Sequence, residues 1–486
     1  MRSIGWNFHD TYGNLPSHLY ARVDPAVVTS PRLVMFNEAL AHALGLETHK
    51  VDDETLAHIF SGNIIPHGAS PLAQAYAGHQ FGHFTYLGDG RAHLLGEHVT
   101  DDGTRVDIQL KGSGRTPYAR QGDGKAALAP MLREYLMSEA MYALGVPTTR
   151  SLAVVATGEP VYRETVLQGA VLTRVAASHV RVGTLQYCIA RRDKKGLQAL
   201  VDYVIARHDP ALRMSKTPYL DLLHNIMVRQ IQLVVSWLRV GFIHGVMNTD
   251  NMALSGETID YGPCAFMDYY DPKTVFSSID RTGRYAYGHQ PFIAQWNIAR
   301  CAEAFLPLLD EDKKRATCHA EEVIGDFPRL FESAWLSCMR SKLGLLGEDK
   351  DDRSLIQDLL QWMHKHRADY TTTFRALMRT HDTDAPPYDN DSFRHWYQRW
   401  KTRVAHHSPS WQASQEHMKT YNPAIIPRNH LVEECLNTAV ERHDMTPFHQ
   451  FLDVLSHPYD DKGVHESYKN PPPFQQSCSY RTFCGT

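Results

Sequence analysis

Short apolar runs separated by glycine fill the chain between about residues 84 and 175, and this pattern predicts β-strands. One helical pattern, from Ala126 to Leu144, interrupts them. Gly88-Asp89-Gly90 has the composition of a turn among these strands, because glycine adopts positive φ without strain. The segment therefore predicts a sheet with a single inserted helix. The four clearest strand patterns are Arg91–Leu95, Val106–Leu110, Leu152–Val155 and Ala170–Arg174.

Helical periodicity takes over from residue 218, beginning with a long apolar stripe that runs to Gly241. The whole pattern predicts an α+β protein with a β-rich amino-terminal lobe and a mainly α-helical carboxy-terminal lobe. We divide it into an amino-terminal extension (1–83) packed on the core, a first lobe (84–217), a helical lobe (218–465) and a tail (466–486). Further helices are predicted at about 291–307, 315–343, 353–380, 391–404 and 428–442.

Composition narrows the classes of function. The 486 residues are 43% hydrophobic and 21% charged, as in an ordinary globular protein of two or three lobes. A net charge of -4 provides no basic surface for nucleic acid or for an anionic membrane. No apolar run approaches the roughly 20 residues that a membrane span needs. We expect a cytoplasmic protein with no nucleic-acid or membrane partner.

Residues 244–262 carry the most informative motif. His244, Asn251 and Asp260-Tyr261-Gly262 follow the order and spacing of the catalytic loop and Asp-Phe-Gly segment of protein kinases. These segments predict a protein-kinase-like bilobal fold, with Asn251 and Asp260 as ligands of Mg²⁺ or Mn²⁺. The position of the usual catalytic base holds Val246, which cannot accept a proton, whereas the neighbouring Asp250 can.

Lys111 and Glu134 complete this pattern. Lys111 ends the alternating run Val106–Leu110, and Glu134 lies on a mostly apolar stripe of the inserted helix. Each residue alone is more typical of a solvated surface position. Together with Asn251 and Asp260, they predict the buried lysine–glutamate pair of a kinase nucleotide site.

Additional basic and glycine residues suggest a repositioned triphosphate. Simple phosphotransfer does not need Arg91, Arg174 and Arg181, yet triphosphate chemistry depends largely on charge neutralisation. Surface ion pairs and simple turns are the alternative explanation for these residues. Gly88-Asp89-Gly90 and Gly122-Asp123-Gly124 could both approach a nucleotide closely.

These segments together closely resemble the selenoprotein O family from end to end. The motifs are long and specific, which excludes chance similarity. They are Pro71–Gly82 (PLAQAYAGHQFG), Leu87–Arg91 (LGDGR), Leu110–Gly114 (LKGSG), Thr116–Tyr118 (TPY), Gly122–Gly124 (GDG), Gly245–Met252 (GVMNTDNM) and Asp260–Pro263 (DYGP).

The resemblance implies a pseudokinase fold that binds ATP in a flipped orientation and transfers AMP to Ser, Thr or Tyr hydroxyls of proteins. It implies Asp250 as proton acceptor, Lys111 paired with Glu134, and Mg²⁺ or Mn²⁺ on Asn251 and Asp260. The implied partners are ATP and protein substrates, with redox proteins among the candidates. The implied nucleotide-binding residues are Gly88, Gly90, Arg91, Lys111, Asp123, Gly124, Arg174, Arg181 and Asp260.

Family members often end in a redox-active cysteine or selenocysteine, for which Cys478 and Cys484 are the candidates here. Val275–Ser278 contains no cysteine that could be an internal partner, and Cys264 is the nearest one. Three alternative functions stay open: Mn²⁺-dependent UMP transfer from UTP, true phosphotransfer, and ATP binding without catalysis.

Overall fold

A nine-stranded antiparallel sheet dominates the amino-terminal half of the structure, a computed structural model that describes residues 4–379, 387–460 and 462–483. The main strand order is β2-β4-β7-β8-β11-β10-β3, with β1 on β7 and β9 on β11. Two separate two-stranded sheets, β5–β6 and β12–β13, lie outside it. The strands are β1 (Phe8–His9), β2 (Tyr20–Arg22), β3 (Arg32–Phe36), β4 (Leu72–Gln74), β5 (Ala77–Gln80), β6 (His83–Tyr86), β7 (Ala92–Val99), β8 (Arg105–Lys111), β9 (Ala126–Ala127), β10 (Arg150–Tyr162), β11 (Val166–Ala176), β12 (Phe242–Ile243) and β13 (Ala265–Phe266).

Helices make up most of the carboxy-terminal half, so the predicted α+β arrangement, with one helix inserted among the central strands, is confirmed. Among the described residues, none of the helices has the length and apolar character that crossing a bilayer requires. The helices are α1 (Glu38–Ala43), α2 (Asp53–Ser61), α3 (Leu128–Ala143), α4 (Val182–Ala190), α5 (Lys194–His208), α6 (Pro218–Val240), α7 (Gln290–Leu309), α8 (Lys313–Gly325), α9 (Phe327–Lys342), α10 (Asp352–His366), α11 (Tyr370–Ala376), α12 (Asp391–His407), α13 (Trp411–Tyr421), α14 (Asn429–Glu441), α15 (Thr446–Ser456) and α16 (Phe474–Ser479).

The two faces of the central strands have different roles. Ile108 and Leu110 of β8 are buried in an apolar cluster with residues of α1 and α2. Because successive strand residues point to opposite faces, Gln109 and Lys111 point the other way. Arg174 of β11 lies directly opposite Gln109 in the ladder. At β8 and β11 the outer face of the sheet is thus apolar, whereas the inner face carries the polar side chains of Gln109, Lys111 and Arg174.

The first 83 residues supply several strands of this sheet. They contribute β1, β2, β3 and β4, and their helices α1 and α2 cover its outer face. Residue 83 is the first residue of β6, so the predicted boundary cuts the β5–β6 hairpin.

Helix α6 delivers the chain to the kinase-like motif. It ends at Gly241, whose φ of 76° is left-handed and favours glycine. Strand β12 then pairs with β13 and brackets the loop of residues 244–264. The two ends of this loop are therefore held together on the helical lobe.

Two long helices predicted from periodicity are wrong, because each is broken. The predicted helix 315–343 divides into α8 and α9 around Asp326, and α9 has a proline in its first turn. The predicted helix 353–380 stops at Arg367, whose φ is 52°. A new helix then begins where the Asp369 side chain accepts a hydrogen bond from the Thr372 N–H at 2.7 Å.

Candidate active site

A cavity of about 880 Å³ lies where the inner face of the sheet, helix α3 and the loop after β12 converge. Every site residue predicted from the sequence lines it, although these residues come from distant segments. Their assigned roles remain predictions. The residues are Gly88, Gly90, Arg91, Lys111, Asp123, Gly124, Glu134, Arg174, Arg181, Asp250, Asn251 and Asp260.

The predicted pair of Lys111 and Glu134 is confirmed. Lys111 Nζ donates to Glu134 Oε2 at 2.6 Å, and the Glu134 side chain is only 2% exposed. Arg174 binds the other oxygen of Glu134, with its Nε donating to Oε1 at 2.8 Å. Burial raises the pKa of Glu134, but Arg174 and Lys111 outweigh it and leave the pKa below its usual value. Glu134 is therefore an anion held between two cations.

Asp260 gathers the cations of the cavity around one carboxylate. Its Oδ1 accepts from Lys111 Nζ at 3.0 Å and from Arg174 Nη2 at 2.7 Å, and its Oδ2 accepts from Arg181 Nη1 at 2.9 Å. Burial opposes the charge, yet these three cations hold the pKa of Asp260 well below its usual range. Its φ of 64° is strained for a residue with a side chain.

The loop of residues 244–264 places Asp250 beside this cluster. Arg181 Nη1 also donates to the backbone oxygen of Asp250 at 2.9 Å, so one guanidinium joins the loop to Asp260. Burial raises the pKa of Asp250 to about 6, although Arg181 lowers it. Val246, at the usual base position, is buried on the cavity wall. A group able to take a proton near neutral pH therefore lies one residue from Asn251.

Comparison with known proteins identifies this arrangement. A family model described as Protein adenylyltransferase SelO matches residues 3–456. The chain belongs to the SelO family. It shares 60% identity over 485 residues with the protein nucleotidyltransferase YdiU of Nitrosococcus oceani, covering 100% of this chain and 98% of that protein. The YdiU protein of Syntrophotalea carbinolica is 56% identical over 482 residues, 99% of this chain and 98% of that protein.

Membership of the SelO family makes the chain a nucleotidyltransferase. A solved structure of ROP2 from Toxoplasma gondii, titled a virulence factor with a protein-kinase fold and no enzymatic activity, is also matched. That match has a TM-score of 0.26 and 10% identity, over 69% of this chain and 88% of that chain. So low a score has no bearing on the fold, and the kinase-like arrangement is supported instead by the Lys111–Glu134 pair.

The SelO-family cavity suits a divalent cation shared with a nucleotide. No cluster of three His, Cys, Asp or Glu side chains able to hold a metal occurs in the described part of the chain. Magnesium commonly takes one or two protein oxygens and completes its shell with water and substrate phosphates. Asn251 donates through Nδ2 to the Val246 oxygen at 2.9 Å, which leaves its amide oxygen for a cation. Asn251 and Asp260 therefore fit such a metal.

The glycine-rich segments approach the cavity closely. A Cβ at Gly88 would lie 2.5 Å from the Tyr118 ring, and a Cβ at Gly124 would lie 2.2 Å from the Arg115 nitrogen. Their φ values of 136° and 76° also favour glycine. Asp123 is exposed and pairs with Arg163, whose Nη1 donates to its Oδ2 at 2.8 Å. Only glycine fits at Gly88 and Gly124.

Two residues that shape the cavity, Tyr76 and Asp89, were not predicted from the sequence as site residues. Arg181 stacks on Tyr76, with its guanidinium carbon 4.5 Å from the ring centre. Buried Asp89, taken only as a turn residue, accepts from Gln109 Nε2 at 3.2 Å. Tyr76 lies in the Pro71–Gly82 motif, but a motif without an assigned chemistry gave no signal for its role.

The carboxy-terminal tail reaches the cavity rim. Thr482 N–H donates to the Phe276 oxygen at 2.8 Å, and its Oγ1 donates to the Pro263 oxygen at 2.8 Å. Cys478 is exposed on α16, whereas Cys484 lies outside the described residues. Cys264 is buried, and burial raises the pKa of its thiol to about 11. Burial thus makes Cys264 a poor redox partner.

Proposed function

We propose that this protein transfers AMP from ATP to Ser, Thr or Tyr hydroxyls of target proteins and releases pyrophosphate. The observation that carries the proposal is the position of Asp250. A buried carboxylate with a pKa near 6 adjoins the cationic cavity, while an apolar Val246 occupies the usual base position. A proton acceptor directly beside the proposed metal ligand Asn251, rather than at the usual base position, suits a reacting phosphorus other than the terminal one.

In the proposed reaction, one bond to the α-phosphorus forms and another bond to it breaks. The hydroxyl oxygen of the target bonds to the α-phosphorus, its proton passes to the Asp250 carboxylate, and the bond to the bridging oxygen of pyrophosphate breaks. Lys111, Arg174 and Arg181 line the same cavity, where their charge would neutralise that of the phosphates. Mg²⁺ or Mn²⁺ on Asn251 and Asp260 would neutralise further phosphate charge when bound.

Isotopic labelling tests the proposal. The protein is incubated with a cell extract and with ATP labelled at either the α- or the γ-phosphate, and modified side chains are then located by mass spectrometry. We expect protein-bound label from α-labelled ATP only. Label from the γ-phosphate would establish phosphotransfer instead, and absence of label from both would indicate a non-catalytic ATP-binding protein.

Two further arms refine the same experiment. Incubation with α-labelled UTP and Mn²⁺ distinguishes UMP from AMP transfer. We expect Asp260→Ala to lose metal-dependent turnover, because it removes both a proposed metal ligand and the shared partner of Lys111, Arg174 and Arg181. An Asp260→Ala protein with undiminished transfer would contradict the assignment of this residue.

A further inference from the structure

The β5–β6 hairpin contacts the loop of residues 244–264 directly. His79 N–H donates to Thr249 Oγ1 at 2.7 Å, and Phe81 N–H donates to Asn248 Oδ1 at 3.0 Å. These two contacts anchor the hairpin on each side of Gln80. The Gln80 side chain is therefore held in a defined position above the loop.

Two residues of this hairpin contact the carboxylate of Asp250. Gln80 Nε2 donates to Asp250 Oδ2 at 3.3 Å. On the other oxygen, a Cβ at Gly78 would lie 2.4 Å from Asp250 Oδ1, closer than atoms can approach. Within the described residues Asp250 Oδ1 is buried and has no hydrogen-bond partner. One carboxylate oxygen is thus held by a donor and the other lies buried and unpaired against Gly78, so the orientation of the carboxylate depends on both residues.

We propose that Gln80 is a positioning residue for nucleotidyl transfer, which orients the Asp250 carboxylate while Gly78 leaves space for that orientation. The inference rests on the proposed function, in which Asp250 accepts the hydroxyl proton. It gives the amino-terminal part of the chain a role in catalysis. Gln80 lines the cavity but touches no reacting atom in this scheme, so its effect passes through Asp250.

The expected effect is on turnover more than on nucleotide binding. A misplacement of about 1 Å in a reacting group can lower a rate by about 100-fold. Gln80→Met keeps the length of the side chain but removes the donor to Asp250. We expect about a tenfold loss of kcat for AMP transfer, with the KM for ATP changed less than about twofold.

A double-mutant cycle separates positioning from a general structural role. Transfer from α-labelled ATP is measured for the unsubstituted protein, Gln80→Met, Asp250→Asn and the double variant, with the melting temperature of each. We expect Gln80→Met to lower kcat about tenfold alone but less than about twofold in the Asp250→Asn background. His83→Gln, at an exposed position of the same hairpin, is the control and should leave kcat unchanged.

Gly78→Ala is a second, independent variant, because its new methyl group displaces Asp250 without removing Gln80. We expect it to lower kcat and to make Gln80→Met nearly silent. The positioning role would be overturned if Gln80→Met lowered kcat equally in the original protein and in the Asp250→Asn background, or if Gln80→Met kept full activity. Neither result would affect the proposed function. Full activity of Asp250→Asn, or no AMP transfer by the unsubstituted protein, would overturn the proposed function as well.

Discussion

Replacement of Glu134 by Ala is the most informative single perturbation of the cavity. Glu134 is the buried anion between Lys111 and Arg174, and its removal leaves both cations with Asp260 as their shared carboxylate. The side chains of Arg174 and Glu134 are each 2% exposed, so water cannot replace the lost charge. The variant therefore tests whether this ion cluster is needed for both stability and transfer.

The expected loss follows from the burial of the cluster. Breaking a buried ion pair by removing one partner costs about 3–5 kcal/mol. We expect the lower end, about 3 kcal/mol, because Asp260 continues to pair with both cations. For a lobe of 150–250 residues this corresponds to a melting temperature lower by roughly 6–12 °C. We also expect at least a tenfold loss of AMP transfer, because Lys111 is no longer held for the phosphates.

Glu139→Ala is the matched control on the same helix. Glu139 pairs with Arg150 through two hydrogen bonds of 2.9 and 2.6 Å, but neither residue lines the cavity. Its loss should lower the melting temperature while leaving transfer unchanged at 25 °C. Thermal melting and transfer from α-labelled ATP are measured side by side. Our reasoning would be refuted by a Glu134→Ala protein that melts within 1 °C of the original, or by equal loss of transfer in Glu139→Ala.

Two other predictions concern conformation and pH. Gly124→Ala should raise the KM for ATP severalfold, because its new Cβ would clash with the Arg115 backbone. The control is Gly103→Ala, which is also at positive φ but whose Cβ would meet nothing within 4 Å, and its KM should not change. Equal KM values for the two variants would contradict the steric argument. Burial raises the pKa of Glu257 from 4.5 to about 7. Ionisation of Glu257 therefore lowers the free energy of unfolding, and this loss is absent below pH 4.5 and complete above about pH 7. Glu257→Gln should therefore stabilise the protein at pH 8 by up to about 3 kcal/mol and leave it unchanged at pH 4.5, which urea denaturation at the two pH values checks.

Local patterns in the sequence determined much of the site because its chemistry is written in short motifs. The spacing of His244, Asn251 and Asp260 predicts one loop that carries both proposed metal ligands, wherever that loop is placed. Lys111 and Glu134 could be paired in advance because a carboxylate on an apolar helical stripe needs a cation, and because their order with Asn251 and Asp260 matches a kinase nucleotide site. The order of strands and helices likewise followed from their periodicities.

Other features depended on contacts between distant segments. The Asp250–Gln80 hydrogen bond joins residues 170 positions apart, and no local pattern encodes such a contact. Arg181 reads from sequence as one more cation, yet its place between Tyr76, Asp260 and the Asp250 backbone depends on how the lobes pack. Periodicity also failed to predict the helix ends at residues 326 and 367, because an apolar stripe can continue whether or not the backbone turns between two helices. The residue types alone thus indicated which chemical groups this protein carries, and only tertiary packing decided which side chains contact those groups, since that depends on distances across the fold.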